Sequence, residues 1–320
     1  MDLSLFFAGT SASAPSARRG MPAILVRRGG DRILFDCGEG TQRQLTRSVG
    51  LADVTDVFIT HLHADHWLGL PGMLKTFELR ERDRPLTVHG PSPLKAVMER
   101  MRPIFGRPSY GLEIVELEPG DAIARDGYQV VSYGVRHRGP AVGYALVEPP
   151  RPGRFDAGLA RRLGVAEGPD FGRLQRGEVV DGVHPEQVVG PDRPGRKIVI
   201  TGDTRPTDAT VVAAHRADVL VHEATFAHED VDRAGQTGHS TARQAAQVAA
   251  DAEVAMLALT HISTRYGGGQ LRDEARAVFP GAVVPRDFDT IDVPFPEKGE
   301  PELVHWDAEA RAPAGIATGR

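Results

Sequence analysis

The sequence predicts a layered α/β sandwich, with sheets packed on one another and helices covering them. Two observations predict it. Strand and helix patterns alternate through the first part of the chain and then give way to strands in runs. The length of 320 residues, 41% of them apolar, suffices for one large globular domain or two modest ones. A formal net charge of -5 and a pI near 6.2 give no general basic signal, so nucleic-acid binding must rest on a local patch. Cys37 stands alone, which rules out an internal disulfide and fits a reducing compartment; its apolar neighbours make it a core residue first. Met1-Asp2-Leu3-Ser4 lacks the basic start of a targeting segment, and no apolar run reaches the length of about 18 residues that a membrane span needs. The expected location is the cytoplasm.

The chain opens with a strand over 3–7 and a small-residue loop over 9–20 that carries Arg18 and Arg19. Strands over 22–27 and 32–37 flank the Gly29-Gly30-Asp31 turn, a short hairpin signal. Asp36-Cys37-Gly38-Glu39-Gly40-Thr41 forms a strand-to-helix junction leading into an amphipathic helix through about Ser48. Asp36 is there a candidate partner for the far nitrogen of a metal-holding imidazole. The apolar run over 54–60 is a strand, and 67–80 reads as helix, with Pro71-Gly72 marking a kink or an early break. A strand over 86–89, a helix over 91–101 with a proline near its first turn, and strands over 112–117 and 128–135 follow.

Residues 148–196 differ in character. They are rich in Pro, Gly and Arg and read as an inserted flexible arm with too few apolar residues for a core of its own. Between Arg151 and Arg176 the basic residues outnumber Asp156, Glu167 and Asp170, a positive patch that the overall charge hides. Regular structure resumes with a strand over 197–201 ending in Gly202-Asp203-Thr204, and one over 217–222 leading to Glu223-Ala224-Thr225-Phe226. Gly238-His239-Ser240-Thr241 opens a helix that Ser240 or Thr241 can cap. The last core strand, 254–259, delivers Thr260-His261-Ile262-Ser263; a helix over about 271–278 and a short strand near 282–284 complete a domain taken as 1–290. The tail, 291–320, is rich in Pro, Glu, Ala and Gly, and its last dozen residues are expected to be disordered.

The chemistry concentrates in His61-Leu62-His63-Ala64-Asp65-His66, where three imidazoles and a carboxylate fall within six residues after a strand. Such groups offer lone pairs to a borderline-soft cation. Alternate side chains of an extended segment share a face, so His61 and His63 can grip one ion while Asp65 and His66 turn toward a second. His137, Asp203 and His261 also stand at strand ends, which converge on one rim of a sandwich. Singly, each of these three is more often structural. Together they allow two cations bridged by Asp203, with His61, His63 and His137 on one and Asp65, His66 and His261 on the other, the pattern of a two-metal hydrolase.

The 61–66 motif with His137, Asp203 and His261 downstream resembles the metallo-β-lactamase superfamily, in which it is shared by lactamases, thioesterases, phosphodiesterases and nucleases. A finer resemblance, from about Leu3 to about Asp289, is to the ribonuclease Z family of transfer-RNA 3′ processing endonucleases. It is carried by Phe35-Asp36-Cys37-Gly38-Glu39-Gly40-Thr41-Gln42, Gly69-Leu70-Pro71-Gly72, Gly202-Asp203-Thr204, His222-Glu223-Ala224-Thr225-Phe226, Gly238-His239-Ser240-Thr241 and Leu259-Thr260-His261-Ile262-Ser263. The resemblance implies a four-layer αββα sandwich with an inserted arm, and two zinc ions per subunit held by His61, His63, Asp65, His66, His137, Asp203 and His261. It also implies that His239, oriented by Glu223, donates a proton to the leaving oxygen, and that Asp65 helps to hold or deprotonate the attacking water.

In the family the arm holds the elbow of transfer RNA, often reaching across a homodimer; Gly168, Pro169, Arg173 and Arg176 occupy that place here. The N-terminal loop contacts the acceptor end, and this chain keeps the family's arginine as Arg19 within Pro15-Ser16-Ala17-Arg18-Arg19-Gly20 while losing its lysine and asparagine. The implied activity is removal of the 3′ trailer from precursor transfer RNA. The alternatives are a small-molecule phosphodiesterase or sulfatase of the same fold, against which the arm argues, and a non-catalytic RNA-binding member, against which the complete ligand set argues.

Overall fold

A computed structural model describes residues 1–51 and 54–307, so the expectation of disorder for the last dozen residues lies outside the described residues. Six strands come first: β1 (Leu3–Gly9), β2 (Ala23–Arg28), β3 (Asp31–Phe35), β4 (Asp56–Phe58), β5 (Leu86–Gly90) and β6 (Leu112–Glu116). Seven more build a second sheet: β7 (Ala122–Arg125), β8 (Tyr128–Gly134), β9 (Val142–Val147), β10 (Lys197–Ile200), β11 (Val219–Glu223), β12 (Met256–Thr260) and β13 (Ala282–Val283). Then β14 (Thr290–Asp292) and β15 (Glu302–Val304) return to the first sheet, whose order is β15-β14-β1-β2-β3-β4-β5-β6. The helices are α1 (Thr41–Thr46), α2 (Ala64–Trp67), α3 (Gly69–Leu79), α4 (Leu94–Phe105), α5 (Ala157–Arg162), α6 (Pro169–Gln175), α7 (Pro185–Val188), α8 (Asp208–Ala214), α9 (Val231–Thr237), α10 (Ala242–Asp251) and α11 (Gly268–Arg276).

Strand periodicity explains the layering. Along β2 and β3, Ile24, Val26, Ile33 and Phe35 face the second sheet, where they meet Ile198, Ile200, Val219 and Val221. The intervening Leu25 and Leu34 face the other way, onto Leu45, Leu70, Leu74 and Leu94 of the outer helices. In the second sheet Val199, Leu220 and Leu257 turn outward onto Ala245, Ala249 and Leu271. Both faces of both sheets are therefore buried, and the result is the expected four-layer αββα sandwich. Thr241 caps α10 by accepting from Gln244, as its position before the apolar run suggests.

Strand direction places the site. β3 to β6 run parallel, β10 to β13 run parallel, and β8 shares their direction because β9 pairs antiparallel with both β8 and β10. The carboxyl ends of β4, β8, β10, β11 and β12 thus open on one rim, the edge at which open α/β sheets place ligands. There His61 bridges to Ala141 of the opposite sheet.

Several expectations are corrected. The strands β7, β9, β14 and β15 and the helices α8 and α9 were not foreseen, although β9 is a buried apolar run in the middle of the second sheet. Pro71 does not break its helix: the interruption falls at Leu68, between α2 and α3, and Pro71 sits in the first turn of α3, where its missing N–H costs nothing. Residue 290 is not an edge, since β14 pairs with β1 and β15 with β14. The arm does have a core: Ala160, Val165, Leu174, Val180, Val183 and Val188 form a small buried cluster under α5 to α7.

The arm's two feet are clamped. Glu148 accepts from Arg196 at 2.8 Å on both oxygens and from Arg28 at 2.7 Å, and all three are buried. Just above, Arg151 and Arg193 pair through their backbones and share Glu297 of the returning tail. The Phe295 ring lies between the Arg151 and Arg196 guanidiniums, 3.5 and 4.0 Å from its centroid.

Candidate metal centre and active site

The seven ring and carboxylate groups singled out in the sequence meet on this rim. His61 follows β4, His63 precedes α2 as its N-cap, and Asp65 and His66 lie in the single turn of α2. His137, Asp203 and His261 come from the ends of β8, β10 and β12. Two donor sets form, His61, His63, His137 with Asp203, and Asp65, His66, His261 with Asp203, the donor atoms of each set lying within 4.8 Å of one another. Asp203 Oδ2 faces His61 Nε2 at 3.7 Å and His137 Nε2 at 3.9 Å, while Oδ1 faces His66 Nε2 and His261 Nε2 at 3.4 Å each. One carboxylate therefore serves both sets. Gly202 makes this approach possible: it has a φ of +61°, and a Cβ there would lie 2.6 Å from Thr60 Cβ.

The imidazoles are aimed from behind. His66 Nδ1 donates to Asp36 Oδ2 at 2.7 Å, and His137 Nδ1 to the Gly238 carbonyl at 2.8 Å. His61 Nδ1 lies 3.1 Å from Thr60 Oγ1, and His261 Nδ1 lies 2.8 Å from Thr225 Oγ1. Asp36, a strand-end residue read from the sequence as a partner, takes this role from a left-handed turn with φ of 57°; His261 has the same φ. Thr60 and Thr225 went unnoticed in the sequence, because a threonine beside a strand end is unremarkable until its partners are known.

These groups fit divalent cations. His61 Nε2 and His137 Nε2 stand 3.0 and 3.1 Å from His63 Nδ1, and His66 Nε2 and Asp203 Oδ1 are buried with no hydrogen-bond partner. Lone pairs crowded together and buried polar atoms left without a partner are costly unless a cation satisfies them. The charges say the same. Burial holds the His61 and His137 imidazoles below their ordinary range, so both are neutral. Burial alone would raise Asp203, yet the adjoining His261 and His66 hold it well below the carboxylate range. His66 is pulled down by burial but lifted well above the usual value by Asp203 and Asp36, a proton that a cation would displace.

Beside the second set stands a separate pair. His239 Nδ1 donates to Glu223 Oε1 at 2.8 Å, and Glu223 also accepts from the Thr204 and Thr225 amides. Burial lowers the His239 pKa, but the charge and hydrogen bond of Glu223 outweigh it and lift the group to about 9. The imidazole is thus held protonated at neutral pH, with Nε2 as the nitrogen free to give its proton away.

The expected substrate-binding residues lie elsewhere. Arg19, within the N-terminal loop, donates to Thr10 Oγ1 and to the Pro285 carbonyl. Gly168 and Pro169 start α6, with Gly168 at φ of +113°. Arg173 pairs with Asp170 and Glu178, and Arg176 with Glu178. The positive patch is also smaller than the 151–176 window suggested, since 148–196 as a whole holds eight arginines and eight acidic residues.

An αββα sandwich carrying on its rim a His/Asp cluster able to hold metal ions is the architecture of metallo-hydrolases, and residues 20–261 match the metallo-β-lactamase superfamily. Curated relatives narrow this. The chain is 48% identical over 309 residues to a ribonuclease Z of Natronomonas pharaonis, covering 93% of this chain and 100% of that one. It is 47% identical to a ribonuclease Z of Gemmatimonas aurantiaca, with 93% and 98% covered. Among solved structures, the human short-form tRNase Z superposes with a TM-score of 0.67 at 29% identity, covering 91% of this chain and 99% of that one. The chain belongs to the ribonuclease Z family of the metallo-β-lactamase superfamily. No helix among the described residues is long and apolar enough to cross a membrane.

Proposed function

We propose that the chain is a zinc-dependent endoribonuclease that removes the 3′ trailer from precursor transfer RNA. The observation that carries this reading is the juxtaposition of the two donor sets sharing Asp203 with the His239–Glu223 pair, in a chain so similar to curated ribonucleases Z. Divalent cations bound there would supply positive charge against the scissile phosphate and acidify a water. His61, His63 and His137 would hold one together with Asp203, and His66, Asp65 and His261 would hold the other. Asp65 takes a proton from the attacking water. As the water oxygen bonds to phosphorus and the P–O3′ bond breaks, His239 Nε2 gives its proton to the departing O3′. The transfer-RNA body leaves with a 3′ hydroxyl, and the trailer with a 5′ phosphate.

The arm, through Gly168, Pro169, Arg173 and Arg176, holds the transfer-RNA elbow by phosphate contacts, and Arg19 belongs to the loop that meets the acceptor end. A homodimer and a cytoplasmic location belong to the same reading. A small-molecule phosphodiesterase would need no arm. The test is incubation with a 3′-extended precursor transfer RNA, mapping of both product ends, and a chelator control. Cleavage that survives chelation, or a 5′ hydroxyl on the trailer, would reject this mechanism.

A further inference from the structure

The two buried carboxylates behind the rim are built alike. Asp36 accepts from the Thr60 amide at 2.8 Å, from Thr60 Oγ1 at 2.9 Å, and directly from His66 Nδ1 at 2.7 Å. Glu223 accepts from the Thr225 amide at 3.1 Å, from Thr225 Oγ1 at 2.6 Å, and directly from His239 Nδ1 at 2.8 Å. In each case the same threonine oxygen also touches a second imidazole, His61 Nδ1 at 3.1 Å or His261 Nδ1 at 2.8 Å. The two units come from different sheets and different stretches of sequence.

A hydroxyl has one proton. An ionised carboxylate cannot donate, so each threonine spends its proton on the carboxylate and can only accept from the imidazole. The imidazole must then carry its proton on Nδ1, leaving the Nε2 lone pair aimed at the cation site. We propose that Thr60 and Thr225 are positioning residues that fix the tautomers of His61 and His261, and that Glu223 serves the second cation through Thr225 while orienting His239.

The consequence is an uneven division of labour. In the set of Asp65, His66, Asp203 and His261, both imidazoles are held by a buried carboxylate, one directly and one through a hydroxyl. In the other set His61 has a hydroxyl relay and His137 a backbone carbonyl, while His63 is exposed.

The proposal rests on the two-cation reading and is tested by zinc titration of the whole chain against a chromophoric chelator. Replacing the outer partner of a metal-holding imidazole characteristically costs 10–100-fold in affinity, and about that loss is expected at one of two sites in Thr225→Val and at the other in Thr60→Val. Thr225→Ser and Thr60→Ser keep the hydroxyl and should bind as the parent chain does. Glu223→Gln should weaken the same site as Thr225→Val, whereas His239→Ala should weaken neither. Valine variants that bind both ions like the parent, or serine variants as weak as the valine ones, overturn the relay while leaving two-cation binding intact. A parent chain that takes up no zinc overturns both.

If the valine variants do not fold, long-range proton–nitrogen correlation spectra of the zinc-loaded parent decide. They should show His61 and His261 protonated on Nδ1, and a bare Nδ1 on either refutes the assignment.

Discussion

The rim and the arm hold their charges in opposite ways. On the rim, Asp36, His61, His66, Asp203, Glu223 and His261 are all buried, and their neighbours fix their direction. On the arm, Arg161 pairs with Glu167, and Arg173 and Arg176 with Glu178, all of them exposed. Exposed pairs are weak and readily exchanged, so a phosphate can take the place of a carboxylate on such an arginine. The rim is preorganised for chemistry at fixed atoms; the arm is built so that its contacts can be traded. Between them sits the Arg28–Glu148–Arg196 clamp, buried like the rim but belonging to the arm.

Four experiments would sharpen or break this contrast. His239→Ala removes the proposed proton donor and should slow turnover by roughly 10²–10⁴-fold on precursor RNA with full metal content; loss of metal would reassign His239 as a cation holder. Replacing 152–192 by a short turn joins Arg151 to Arg193, the paired backbones below the arm's core, and so removes that core whole. Cleavage of precursor RNA should fall by on the order of 10²-fold through loss of tethering, while hydrolysis of bis-p-nitrophenyl phosphate persists. Equal losses on both substrates would show that the arm supports the rim.

The clamp comes next. Burial would raise the Glu148 pKa, but Arg196 and Arg28 hold it below the usual range. A depressed carboxylate contributes stability that is fully present above its unfolded pKa of about 4.3 and is lost as pH falls through the folded value. Glu148→Gln strands Arg196 and should cost about 3–5 kcal/mol near neutrality. The gap in melting temperature between variant and parent should narrow only below about pH 4.3; a gap that is constant with pH would mean that the charge is not what matters. The smallest effect is expected for Arg173→Ala, with melting unchanged and the slope of RNA affinity against salt reduced by about one. An unchanged slope would free Arg173 of any role in RNA binding.

The rim was legible because cation chemistry demands rare residue types at fixed spacing: His61 to His66 and the strand-end His137, Asp203 and His261 are improbable by chance. Most of both sheets was legible from apolar runs, but β7, β14 and β15 are only three or four residues of mixed polarity, too short to carry a pattern, and in β9 Gly143 interrupts the apolar run of Val142 to Val147 although Gly139-Pro140 marks the turn before it. Thr60 and Thr225 were not legible, since a hydroxyl takes its role from two partners, and for Thr225 one of them lies 36 residues away. The arm's core was hidden because Ala160, Val165, Leu174, Val180, Val183 and Val188 are spread thinly among Pro, Gly and Arg, and only short helices bring them together.

The return of β14 to the side of β1 has a bearing on how the molecule is made. β1 is made long before the strand that covers its open edge, so that row of amide and carbonyl groups waits bare while the intervening strands of both sheets are synthesised. Until residues 290–292 emerge, the nascent chain carries a strand ready to pair with any other, and its safety in that interval depends on holding chaperones or on the speed of the remaining synthesis.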